Sequence, residues 1–217
     1  VKTYCIYNPM EGVSLPRKKT SDIRLLDKKE QLCLEEYVSK IHNSTTLGIT
    51  LAMTTGIRIG ELCALQWKDI DLEKRILTVS KTVQRIQLHE ADRKTKLIIT
   101  EPKSESSKRI IPIPEAVVAF LKEMRENDED FVVSGTSRVI EPRTMQYRFA
   151  KILKNVNLPS VHFHALRHMF ASNCIRLGFD IKALSEILGH SSVEITLNRY
   201  VHSSFEQKTE YMNRITI

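Results

Sequence analysis

Between residues 75 and 114 the apolar side chains stop recurring at helical spacing and begin to alternate. The runs R-I-L-T-V-S-K-T-V-Q-R (75–85), K-L-I-I-T-E (96–101) and K-R-I-I-P-I-P (108–114) are rich in β-branched residues, which suit a pleated, half-buried surface. They read as three strands of one small antiparallel sheet. On both sides the period returns to that of an amphipathic helix. Helices are predicted over 27–40 with Asp27 as N-cap, from 44 to the T-T-G at 54–56, from Arg58 through R-I-G-E-L-C-A-L, and over 115–125. Four more are predicted over 143–155, from His164 to Gly178, through I-K-A-L-S-E-I-L to Gly189, and through V-E-I-T-L-N-R-Y. The fold class is therefore mainly α with a small antiparallel β-sheet. Residues 1–24, broken by Pro9, Gly12 and Pro16, read as a linker made basic by Arg17, Lys18 and Lys19.

A chain of 217 residues with 41% apolar and 27% charged side chains can bury a real core. Its formal charge of +7 leans towards a polyanionic partner. No run of about eighteen apolar residues is present and the N-terminus lacks a signal-peptide pattern, so the expected location is the cytoplasm. Cys5, Cys33, Cys63 and Cys174 are scattered without a C-x-x-C pair, and the last three sit in apolar helical contexts where cysteine serves as a small hydrophobe. The chain starts at Val1 without a methionine, which suggests a fragment or a processed product.

Within this frame several polar residues stand out. His164 and Arg167 are three apart, about 60° from each other on one helical face. His190 follows Gly189, and Tyr200 lies at the end of the next helical pattern. Arg58 opens a helix beside a turn in apolar company, where a cation needs a partner; Glu61, three residues on, can supply one. In the loop P-K-S-E-S-S-K, Lys103 and Lys108 either keep a hairpin edge soluble or reach into a groove to donate a proton. The helix over 143–155 carries Arg143, Arg148, Lys151 and Lys154 outward. Such a face either lines a nucleic-acid groove or is simply solvated. Phosphate-loop, H-E-x-x-H zinc and dinucleotide motifs are absent.

Two arginines can fork onto the non-bridging oxygens of a phosphodiester. Tyrosine can attack the phosphorus, histidine can take its proton, and lysine can give one to the departing sugar oxygen. With T-G-I-R-I-G-E-L around Arg58, Lys103 in its loop, H-A-L-R-H at 164–168 and L-G-H-S-S followed by Tyr200, the chain resembles the tyrosine recombinases, the phage-type integrases. Among these it is most similar to integrases of conjugative transposons and Gram-positive phages. The resemblance implies the catalytic-domain fold of that family over 25–203, behind the linker of 1–24. It makes Arg58 a phosphate ligand rather than a structural partner of Glu61, and Lys103 the general acid, with Lys108 competing for that role. His164 and Arg167 take phosphate-binding and proton-transfer roles, His190 hydrogen-bonds the phosphate, and Tyr200 is the nucleophile.

The implied reaction is cleavage and strand exchange of double-stranded DNA through a 3′-phosphotyrosine, for integration and excision of a mobile element, without cofactor or metal. The implied setting is the bacterial cytoplasm, on DNA and not at a membrane, as a homo-oligomer that is tetrameric in the synaptic complex and is open to an accessory directionality factor. A tail over 204–217, with Phe205, Met212 and Ile215 near one helical face, is expected to dock on a neighbouring subunit. The readings that compete are a non-enzymatic DNA-binding module and a type IB topoisomerase-like relaxing enzyme.

Overall fold

The structure, a computed structural model, describes residues 12, 24–87, 95–101, 108–200, 209, 212 and 213. Its first helix, α1 (Lys28–Lys40), starts on a reciprocal cap: the Asp27 carboxylate accepts the backbone N–H groups of Lys29 and Glu30, and Glu30 accepts that of Asp27. Three backbone donors at the helix start are met this way. Asn43 caps α2 (Ser44–Thr55) in the same manner, together with Thr46. Helix α2 runs through the middle of the molecule, with Leu47, Ile49, Leu51 and Ala52 fully buried, and packs against α1, α4, α5 and α6. It ends at Gly56, whose φ of 64° is the left-handed conformation that an L side chain resists. A Cβ there would also lie 2.5 Å from the Phe170 ring and 2.9 Å from Leu188.

Arg58 precedes the short α3 (Ile59–Ala64), and a single 3₁₀ turn follows at Trp67–Asp69. The predicted strand run over 75–85 divides. Strands β1 (Ile70–Asp71), β2 (Ile76–Val79) and β5 (Arg109–Pro112) form one antiparallel sheet in the order β1-β2-β5, with Leu77 opposite Ile111. Strands β3 (Thr82–Gln87) and β4 (Thr95–Thr100) form a separate two-stranded ribbon in which Val83 faces Ile99. A single three-stranded sheet was the expectation, and it does not form. Alternation reports which face of a strand is buried, not which strand it bonds to. Leu77, Val79 and Ile111 share the core, so β5 returns past the ribbon to pair with β2. The segment between β4 and β5 therefore joins two sheets instead of turning a hairpin.

Helix α4 (Glu115–Met124) buries Val117, Phe120 and Leu121. The apolar run at 131–133 is a tight turn and not a strand: the Phe131 N–H donates to Thr136 and that of Val132 to Leu65. Of Met145, Phe149, Ile152, Leu153 and Val156, which the pattern turns inward, helix α5 (Pro142–Asn155) buries the first four; Val156 lies half-buried just past its end, and Arg143, Lys151 and Lys154 are exposed. Arg148 is half-buried and donates to the carbonyl of Val133.

Helix α6 (His164–Arg176) is buried along most of its length. Helix α7 (Ile181–Leu188) and helix α8 (Val193–Tyr200) complete the described chain. Eight residues are too few for an isolated helix in water. What holds α7 is a satellite cluster of Phe170, Ala171 and Cys174 from α6 with its own Leu184 and Leu188, beside the main core. Each of those two leucines contributes about 1.5–3 kcal/mol on burial. Burial pushes the Cys63 thiol up to about 12 and the Cys174 thiol up to about 11, so both stay protonated and apolar in character. Among the described residues no helix is long and apolar enough to cross a membrane.

Gly56→Ala should lower the unfolding free energy by about 2–4 kcal/mol, from left-handed strain plus the clash with Phe170 and Leu188. Urea denaturation of the two chains measures this, and a change under about 0.5 kcal/mol would mean that the turn relaxes freely.

Candidate active site

A helix that ends leaves its last carbonyls without intrahelical partners, and the helix dipole makes that end electronegative. At α7 the first of these carbonyls are closed by the chain itself. Gly189, at φ 63°, sends its N–H to Glu186, and the N–H of His190 donates to Ser185. The next three carbonyls each receive an arginine from a different part of the fold. Arg109 Nε, on β5, donates to Ile187 at 2.6 Å; Arg167 Nη2, on α6, to Leu188 at 2.7 Å; and Arg58 Nη2, before α3, to Gly189 at 2.7 Å. Arg167 also donates through Nη1 to the Gly56 carbonyl at 2.8 Å and is only 2% exposed. The turns at Gly56 and Gly189 are thus joined through one buried guanidinium.

Glu61 is the carboxylate of this cluster. Its Oε1 accepts Arg58 Nη1 at 2.8 Å and Arg109 Nη1 at 3.1 Å, while Oε2 accepts Arg109 Nη2 at 2.8 Å and the Arg58 backbone N–H at 3.0 Å. Burial alone would raise the Glu61 carboxyl. The Arg109 fork and the nearby Arg58 charge outweigh burial and hold it below the ordinary glutamate range. The resemblance sets Arg58 apart from Glu61 as a phosphate ligand rather than its structural partner; because the buried carboxylate needs the cation, the structure nonetheless forms the pair. It takes one terminal nitrogen of Arg58, whose side chain keeps 35% exposure against 4% for Glu61.

His164 and Arg167 share the first turn of α6 but differ in setting. Arg167 is inside, whereas His164 is exposed, with its ring edge-on to that of buried His168 at 4.8 Å. His190 is half-buried, and its Nδ1 lies 2.8 Å from the hydroxyl of fully buried Thr196 on α8. When Thr196 donates to Nδ1, the ring proton sits on Nε2. Tyr200 is the last residue of α8, one turn beyond Thr196; its side chain lies outside the described part. Lys103 also falls outside the described residues. Lys108 pairs with Glu101 at 2.7 Å across the ends of the segment that carries Lys103.

The fold thus brings Arg58, Arg167 and His190 to one helix end, and His164 to the same turn as Arg167. Sequence reasoning did not single out Arg109 or Thr196. A cation opening the apolar run R-I-I-P-I-P was a legible sign that a carboxylate partner was needed; nothing local marks Thr196.

The profile of the phage integrase family matches residues 24–207. The chain belongs to that family. It is 31% identical to a XerC-like tyrosine recombinase of Caldanaerobacter subterraneus, over 95% of this chain and 59% of that protein. It is 28% identical to the transposase from transposon Tn916 of Enterococcus faecalis, over 87% of this chain and 50% of that one. This phage integrase chain therefore spans about half the length of the curated relatives it matches. Among solved structures, the Tn1549 transposon integrase in complex with transposon right end DNA superposes with a TM-score of 0.71 at 26% identity, covering 90% of this chain and 67% of that one. The fold class expected from the sequence, helices around small antiparallel sheets, is the one found in these relatives.

Glu61→Gln leaves Arg109 and Arg58 around a neutral group and should cost about 3 kcal/mol or more at pH 7. Because the folded carboxyl is depressed, its stabilisation is present above the ordinary glutamate range of about 4–4.5 and is lost as pH falls through the folded value. The gap between the two chains should close on acidification, as read from urea unfolding at stepped pH. A gap as wide well below pH about 4 as at pH 7 would rule out the carboxylate as its source.

Proposed function

We propose that the chain carries the catalytic domain of a site-specific DNA recombinase that cleaves and exchanges strands of double-stranded DNA through a 3′-phosphotyrosine. The observation that carries the reading is the convergence of Arg58 and Arg167 on consecutive carbonyls of the α7 end, next to His190. Two guanidiniums held from behind by carbonyl oxygens are preorganised donors for an anion, and a phosphodiester offers two non-bridging oxygens. His164 shares the first turn of α6 with Arg167, and His190 follows Gly189. The basic residues Arg143, Lys151 and Lys154 on α5 suit a duplex backbone.

In the proposed reaction the Tyr200 oxygen attacks the scissile phosphorus and loses its proton to a nearby base, with His164 the candidate. A P–O bond to Tyr200 forms as the bond to the 5′ oxygen breaks, and Lys103 gives that oxygen the proton it leaves with. A 5′-hydroxyl from a partner duplex then reverses these steps and releases Tyr200. One phosphoester replaces another, so bond energy is retained.

The likeness to a transposon transposase and to an integrase bound to transposon-end DNA supports integration and excision of a mobile element. The proposal includes residues 25–203 as the catalytic domain, 1–24 as a linker to a DNA-clamping domain, and 204–217 as a tail that docks on a neighbouring protomer. It also includes assembly as a tetramer on DNA, open to an accessory directionality factor, in the bacterial cytoplasm.

A pool of nicked duplexes, randomised around the nick and positioned so that the cleaved fragment diffuses away, traps the covalent adduct and reveals the cleaved sequence. The linked residue should map to Tyr200. Tyr200→Phe should abolish the adduct while leaving the band shift on the recovered duplex unchanged; loss of both would make Tyr200 a folding residue. Arg167→Ala should slow adduct formation by about 10²- to 10³-fold. Deleting 204–217 should leave single-site cleavage intact and abolish higher assemblies on DNA in analytical ultracentrifugation; unchanged assembly would remove docking by the tail.

A further inference from the structure

Arg109 is 6% exposed on its side chain and is one of the residues that sequence reasoning did not single out. Yet three of its nitrogens hold two elements of the site. Nη1 and Nη2 fork onto both oxygens of Glu61, and Nε closes the Ile187 carbonyl at the end of α7. A carboxylate offers about four acceptor positions, and those of Glu61 are filled by Arg109 twice and Arg58 twice. The carboxylate that orients Arg58 is thus itself oriented by Arg109. Gly189 shows how close the fit is: a Cβ there would lie 2.9 Å from Arg109 Nη1 and 3.0 Å from its Cδ, so the guanidinium lies flat against the backbone that receives Arg58.

We infer that Arg109 is a positioning residue, which sets the aim of Arg58 through Glu61 and fixes the helix end that precedes His190. The inference rests on the proposed reading that Arg58 contacts the scissile phosphate. Lysine cannot replace Arg109, because a single ammonium on a flexible stem reaches Glu61 or the Ile187 carbonyl but does not form the fork and the third bond together. Because Arg109 opens β5, directly after the segment that carries Lys103, the same contact ties the base of that segment to the arginine cluster.

The test compares two substrates with the recovered sequence: the ordinary nicked duplex, and one with a methylphosphonate at the scissile position. The methyl group replaces a charged non-bridging oxygen, so an arginine that acts on that charge has less to act on, whereas a general folding defect slows both substrates alike. Arg109→Lys and Arg109→Gln should each slow adduct formation on the phosphodiester by about 10- to 100-fold, the scale of a small misplacement. On the methylphosphonate the loss should be within about threefold, with band-shift affinity near that of the unaltered chain and cooperative melting kept above the assay temperature, at a midpoint lowered because Glu61 loses a buried partner. Arg58→Ala, run in parallel, should show the same charge-selective loss.

A charge-selective loss for Arg58→Ala, with none or an equal loss on both substrates for the folded Arg109 variants, overturns the inference alone. Loss of cooperative melting in both Arg109 variants makes Arg109 a folding residue and overturns it as well. If Arg58→Ala shows no charge selectivity, the proposed phosphate contact falls, and the inference falls with it.

Discussion

The site depends on the carboxyl end of α7. Carbonyl oxygens that a helix leaves open must be closed when the end is buried, since an unmet buried acceptor costs about 1–3 kcal/mol. Here they are closed by cations, which suits the electronegative end of a helix dipole. Arg58, Arg109 and Arg167 come from three separate elements, and the bond from Arg58 to Gly189 spans 131 residues of sequence. Such a cluster exists only once α2, α6 and the β2–β5 sheet are assembled, so the site and the core form together.

Two glycines and one small apolar cluster let the helix end sit there. Gly56 and Gly189 both take left-handed turns that bring their backbones within reach of arginine side chains. Leu188, one residue before the second turn, packs on Phe170 of α6, on the same helix as Arg167. The packing that buries Leu188 therefore also delivers its carbonyl to Arg167 Nη2. Glu61 completes the arrangement from the side of α3, where Gly60 allows β3 to approach until a Cβ would sit 2.6 Å from the Thr82 hydroxyl. Positive charge is thus gathered at one place and partly balanced by the buried Glu61 carboxylate, which holds two of the three guanidiniums, those of Arg58 and Arg109.

Local signals were legible because their causes are local. Asp27 caps α1, Gly56 and Gly189 end α2 and α7, and the apolar stripe of α5 gives four of its five inward residues, Met145, Phe149, Ile152 and Leu153, as buried. The identities and order of Arg58, His164, Arg167, His190 and Tyr200 were equally readable, because the chemistry proposed for them needs those residue types. Strand pairing was not legible: the same alternation serves one sheet or two, and only the shared burial of Leu77, Val79 and Ile111 directs β5 to β2. Nor was the depth of His164 and Arg167, which helical spacing places on one face although one is exposed and the other buried.

By itself the sequence determined the helices, their caps, the strand segments and the family, since each is written in residue types at short range. The tertiary structure alone decided which carbonyls face the arginines, that Glu61 is shared by Arg58 and Arg109, and that Thr196 reaches His190. Those contacts join residues far apart in the chain, and whether a charge is exposed or buried follows from packing, which no local pattern encodes.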